Sequence, residues 1–126
     1  MITVSLEEII NAIPALRILM QSPIDGKNAF KVARAYREIE KELDLFEQER
    51  QKFIEKYSEK DENGNIKQDE KGNIQIQKEY IDIFNQEITI MLKNIVDINI
   101  EPIPAEVLAN LSLTPEQALN LEKFFE

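Results

Sequence analysis

Asp61-Glu-Asn-Gly-Asn-Ile-Lys-Gln68 is followed at once by Asp69-Glu-Lys-Gly-Asn-Ile-Gln-Ile76, a near-duplicated octet lying between two long stretches of heptad-spaced apolar residues. Glu62-Asn63-Gly64 and Glu70-Lys71-Gly72 each place glycine where a type I turn with a bulge requires a left-handed residue. Asn65–Gln68 and Asn73–Ile76 alternate polar and apolar positions, which suits short strands with one wetted face. The expectation is a β-ribbon of two or three strands over residues 62–76. Isolated hairpins are barely stable in water, so Ile66, Ile74 and Ile76 must rest on helix ends, on another strand or on a partner.

Upstream, Val32, Tyr36, Ile39, Leu43, Phe46, Arg50, Phe53 and Tyr57 are spaced 4, 3, 4, 3, 4, 3, 4, a heptad seam that predicts one long helix over residues 27–58. Mixed charges such as Glu38, Lys41, Glu49 and Lys52 occupy its other faces. Arg50 interrupts the seam with a charge. It either meets an acid on the partner helix, fixing register, or snorkels its head into water. Downstream, Ile81, Phe84, Ile88, Met91 and Ile95 are spaced 3, 4, 3, 4 and predict a second helix over residues 78–94. An antiparallel pairing would set Ile81 and Phe84 against Phe53 and Tyr57, and would leave the start of the long helix to a first, N-terminal one.

That first helix is expected over residues 5–21. Ser5 and Glu8 have the spacing of a capping box, and Pro14 predicts a kink or a division. Val96-Asp-Ile-Asn-Ile100 alternates as a strand would, and Pro102 and Pro104 stop it. Thr114-Pro115-Glu116-Gln117 opens a C-terminal helix over residues 115–125, with threonine as cap and proline at the first helical position. Phe124 and Phe125 close it. They either dock into the protein's own core or are presented to a partner.

The fold class that follows is mainly α with a small β element (α+β): an antiparallel long-helix hairpin with a β-ribbon at its tip, plus N- and C-terminal helices. The 126 residues, 43% hydrophobic, suit a single domain spanning 1–126. No apolar run approaches the length of a membrane span, and Met1-Ile-Thr-Val-Ser-Leu-Glu-Glu8 has neither the basic region nor the apolar core of a signal peptide. A cytoplasmic protein without membrane attachment is expected.

Composition removes most chemistries. Histidine, cysteine and tryptophan are absent, so triads, zinc sites and histidine acid/base catalysis have no residues to work with. Three glycines cannot build a phosphate-cradling loop. Asp61-Glu-Asn63-Gly-Asn65 has oxygen donors, but its glycine is fourth and position twelve is Gly72, which is not the pattern of a calcium loop. Neither a catalytic, a cofactor-binding nor a metal-binding residue is assigned, and an enzyme is not expected. The net charge is −9; residues 1–60 carry 11 acids and 10 bases, and residues 61–126 carry 13 acids and 5 bases. An acidic balance repels a phosphate backbone, so direct nucleic-acid binding is not expected.

Protein binding remains. The ribbon edge would serve strand addition through Ile66, Lys67, Lys71, Ile74 and Ile76, with the lysines guarding the edge against uncontrolled pairing, and Phe124 and Phe125 would be anchors. Helix, β-hairpin, helix with heptad seams over about residues 28–100 is similar in outline to prefoldin subunits, which implies a self-associating scaffold. More specifically, Glu55–Ile66, Asp69–Ile74, Val96–Ile100 and Leu113-Thr-Pro-Glu116 resemble small proteins encoded by phages and prophages of Gram-positive bacteria. That likeness carries no catalytic residues with it. It implies a phage-derived protein that binds and sequesters a protein, most concretely a host defence component. The alternative is a virion assembly factor or minor structural protein, and a homo-oligomer is compatible with either.

Overall fold

A computed structural model describes residues 1–109 and 111–125. In chain order they form β1 (Ile2–Ser5), α1 (Leu6–Gln21), α2 (Gly26–Tyr57), α3 (Ile81–Lys93), β2 (Ile95–Ile98) and α4 (Pro115–Leu121), with short 3-10 turns at Lys78–Tyr80, Ala105–Leu108 and Glu122–Phe124. The protein is mainly helical with a small antiparallel sheet. Its residues group into two compact units, Met1–Leu43 with Asn94–Glu126, and Asp44–Lys93. Residues of α2 up to Leu43 belong to the first and those from Asp44 to the second.

In the first unit, β1 pairs antiparallel with β2 in the register Ile2↔Ile98, Thr3↔Asp97, Val4↔Val96, Ser5↔Ile95. Alternation puts Ile2, Val4 and Ile98 in the core, while the Thr3 hydroxyl donates to Asp97 Oδ1 at 2.6 Å on the wet face. Strand β1 was not expected from its four residues; it exists because β2, far along the chain, supplies its partner. The strand runs straight into α1 through Ser5. The predicted capping box forms in both directions: the Glu8 N–H donates to Ser5 Oγ at 3.1 Å, and the Ser5 N–H to Glu8 Oε1 at 3.0 Å. Lys123 Nζ lies 2.6 Å from Glu8 Oε2. Burial pushes the Glu8 carboxyl up, but the Lys123 ammonium and the Ser5 hydrogen bonds outweigh it and hold the group below its ordinary value.

Helix α1 continues unbroken past Pro14, so the chain is not divided there. An interior proline costs about 3 kcal/mol; here the buried side chains Ile9, Ile13, Leu16 and Leu19 on both sides of it hold the helix together. Asp25 opens α2, its carboxylate accepting from the Asn28 N–H at 3.4 Å and from Asn28 Nδ2 at 3.0 Å. Asn28 is buried, and the same Nδ2 also reaches Glu106 Oε1 at 3.3 Å. The capping box at α4 likewise forms, between Thr114 and Gln117. The strand expected at 96–100 lies at Ile95–Ile98, and the C-terminal helix gives way to a 3-10 turn after Leu121.

Every position of the α2 stripe from Val32 to Tyr57 is buried or half-buried. Arg50 reaches neither a partner helix nor open water alone: its Nη1 lies 3.5 Å from Glu47 Oε2, one turn back on the same helix, and its side chain is half-exposed. In the second unit, Tyr57 collects an aromatic cluster, with Phe53 at 6.4 Å, Tyr80 at 5.3 Å and Phe84 edge-on at 6.5 Å between ring centroids. Of the pairing expected of the helix ends, the Tyr57–Phe84 contact forms. Helix α3 itself buries no residue completely, and Ile81, Ile83 and Ile90 are 41%, 42% and 61% exposed.

Candidate partner-binding site at the α2–α3 tip

The octet repeat folds as a ring. Ser58 bridges Ile76, Lys60 bridges Ile66 and Gln68 bridges Ile74, all antiparallel. Three straight strands cannot all be mutually antiparallel, so each segment meets the next at a single sharply turned bridge. The Glu59 N–H donates to the Gln75 carbonyl at 2.8 Å, Gln75 to Lys67 at 3.2 Å, and Lys67 back to Glu59 at 2.8 Å. These residues are eight apart, the repeat length of the sequence. Equal octets put equivalent peptides at equivalent corners, and each central residue both donates and accepts within the ring. Two corners are the Asp-Glu-x-Gly-Asn turns; the third is closed by the helices, where the Gln77 N–H donates to the Tyr57 carbonyl at 2.9 Å.

Both turns are built alike. Asp61 Oδ1 accepts from the N–H groups of Asn63 and Asn65 at 2.9 and 3.0 Å, and Asp69 Oδ1 from those of Lys71 and Asn73 at 2.8 and 2.9 Å. Gly64 and Gly72 both have φ of 81°, the left-handed conformation their positions predicted. The Asn73 N–H is the strongest influence on the Asp69 carboxyl; desolvation opposes it, and the Lys71 N–H and the Asn73 side chain add to it, so the group lies below its ordinary value. Below the ring, Ser58 is buried; its hydroxyl accepts from Lys60 Nζ at 2.7 Å, and the same ammonium caps the α2 carbonyl of Glu55 at 2.6 Å.

The predicted partner-binding residues separate. Ile74 and Ile76 line a cleft of about 350 Å³ together with Arg50, Ile54, Phe84, Gly72 and Asn73. Ile66 is half-buried, and Lys67 and Lys71 are exposed on the ring and its second turn. Lys67 is one of the three ring residues whose backbone groups are engaged, so strand addition is closed at Glu59, Lys67 and Gln75. Of the two alternatives for the C-terminal aromatics, Phe124 takes docking: it is 0% exposed, and its carbonyl accepts from the Ile103 N–H at 2.9 Å. Phe125 is half-buried in a parallel bridge with Ile103.

The cleft adds Arg50, Ile54 and Phe84 to the partner-contacting residues that the sequence points to. A signal for Ile54 existed in the sequence, because Phe46, Arg50 and Ile54 recur every four residues, as a 3.6-residue helix drifts off a strict heptad. The first unit has its own cleft of about 370 Å³, lined by Lys31, Arg34, Ala35, Arg37, Glu38 and Ile100 among others. Among the described residues, no helix is long and apolar enough to cross a membrane, and no cluster of three or more acids could hold a metal ion. No family model, curated protein or solved structure matches the chain.

Proposed function

We propose that this chain is a non-enzymatic protein-binding protein whose contact surface is the ringed tip and the cleft beneath it. The observation that carries the reading is the composition of that cleft: Ile54, Ile74, Ile76 and Phe84 line it together with Arg50. An apolar anchor beside an arginine is the composition of a binding hot spot, and a hydrogen-bonded ring that holds its turns in place lowers the entropy lost on binding. The ligand that fits is a protein segment with an apolar side chain for the cleft and a carboxylate that competes with Glu47 for Arg50. With the phage resemblance, the partner class is a host defence protein met in the cytosol, and the mode of action is occlusion.

The test is affinity capture with matched variants. Tagged wild-type protein should retain a stoichiometric partner that Ile74→Asp and Arg50→Glu both lose by at least tenfold, while circular dichroism stays unchanged. A partner retained equally by both variants would move the site elsewhere. The assembly-factor alternative is favoured by one observation, the exposed isoleucines of α3; light scattering of a closed multimer would support it.

A further inference from the structure

The exposed side of α3 carries its own register. Ile83 and Ile90 are seven residues apart, which places them within about 20° of each other on an α-helix, and both are exposed. Asp82 and Lys93, at opposite ends of the helix, are eleven apart and fall on one flank of that pair, about a quarter turn round. Neither makes an ion pair within the chain among the described residues. The midpoint of Ile83 and Ile90 and that of Asp82 and Lys93 coincide to within a single residue, so the apolar and the charged pairs share one centre of symmetry along the helix.

We propose that α3 is a self-complementary surface whose partner is α3 of a second copy of this chain, packed antiparallel about a two-fold axis near Gln86. In that arrangement Ile83 of each copy meets Ile90 of the other. The flank is preserved by the two-fold, so each Asp82 faces a Lys93, and the Gln86 amides meet at the centre, where they can hydrogen-bond to one another. The antiparallel helix dipoles add a small attraction. Glu87, half-buried, lies on the opposite flank at the same angular distance from the isoleucine pair as Gln86, so the two Glu87 carboxylates approach the axis and oppose the contact. Isologous contact is the commonest form of homo-association because one favourable pair is made twice. Thirteen residues make a helix of only about 20 Å, and stable interfaces cover about 800 Å² per partner; the dimer is therefore weak and concentration-dependent. It uses neither the tip ring nor the cleft, so it stands or falls separately from the capture experiment above.

Sedimentation velocity over a concentration series up to sub-millimolar tests it. The wild type should pass from monomer to dimer as concentration rises. Ile83→Lys combined with Ile90→Lys should remain monomeric, and Ile83→Ser with Ile90→Ser should do the same with no change of charge. Asp82→Lys alone and Lys93→Asp alone should each weaken the dimer by about tenfold, the scale of two modest surface pairs turned repulsive. Carrying both exchanges together should restore it, which a merely structural role for either residue would not predict. A wild type that is monomeric throughout, a dimer that survives the isoleucine changes, or a double exchange that fails to restore association in a protein of unchanged helicity would each overturn the proposal.

Discussion

Asp69 shows how one carboxylate organises a turn. Its Oδ1 accepts two backbone N–H groups and its Oδ2 accepts from the Asn73 side chain at 3.3 Å. These bonds favour the ionised form, so its carboxyl lies below its ordinary value. The folded-state value being depressed, the group's contribution to stability is fully present above the unfolded value and is lost as pH falls through the folded one. Carboxyl titration by NMR should place Asp69 below the usual aspartate range. On acidification, the amide resonances of Lys71 and Asn73 should shift with the same midpoint. A titration of Asp69 at the ordinary value would show that the turn does not hold its carboxylate.

At the scale of elements, the tip depends on two glycines that have space but no alternative conformation. A Cβ added at Gly64 or Gly72 would meet nothing within 4 Å, yet both have φ of 81°. The cost of replacement is therefore backbone conformation alone. Gly72→Ala should destabilise the second unit by about 1–2 kcal/mol, read as a lower chemical-denaturation midpoint, and Gly64→Ala by a similar amount. Equality is itself informative, because the two turns have the same backbone N–H bonds to their aspartates and the same φ, and differ in the Asn73 side-chain bond to Asp69. A loss at one glycine only would mean that the corners are not equivalent. The octet was legible in the sequence because turns are local: an aspartate that binds amides two and four residues on, and a glycine at the left-handed position, need nothing from the rest of the chain.

At the scale of the whole molecule, each unit is held by residues brought from far apart in sequence. Phe124 is fully buried in the first unit, near the C-terminus of a chain whose other core members include Val4, Ile9, Leu16, Ile39 and Ile103. Phe124→Ala should cost about 3–5 kcal/mol, a large part of the 5–15 kcal/mol that domains of this size possess. Thermal unfolding followed in the far ultraviolet should show it plainly. If instead the variant melts like the wild type, the C-terminal segment is not part of the core.

What the sequence determined by itself were the elements whose cause is local: α2 from its 4, 3 spacing, α1 and α4 from their capping boxes, and the turns from Asp61, Gly64, Asp69 and Gly72. Hydrophobic periodicity also showed which face of α2 would be covered. Tertiary structure decided everything that needs a distant partner. Ile2–Ser5 is a strand because Ile95–Ile98 lies beside it; the ribbon closes into a ring because Gln75 returns to Glu59; and Arg50, Ile54 and Phe84 share a cleft with Ile74 and Ile76 only after the tip folds. Local signals are written within one turn of chain. Pairings across tens of residues carry an entropy of closure that only the assembled core repays, so they become visible once the chain has folded.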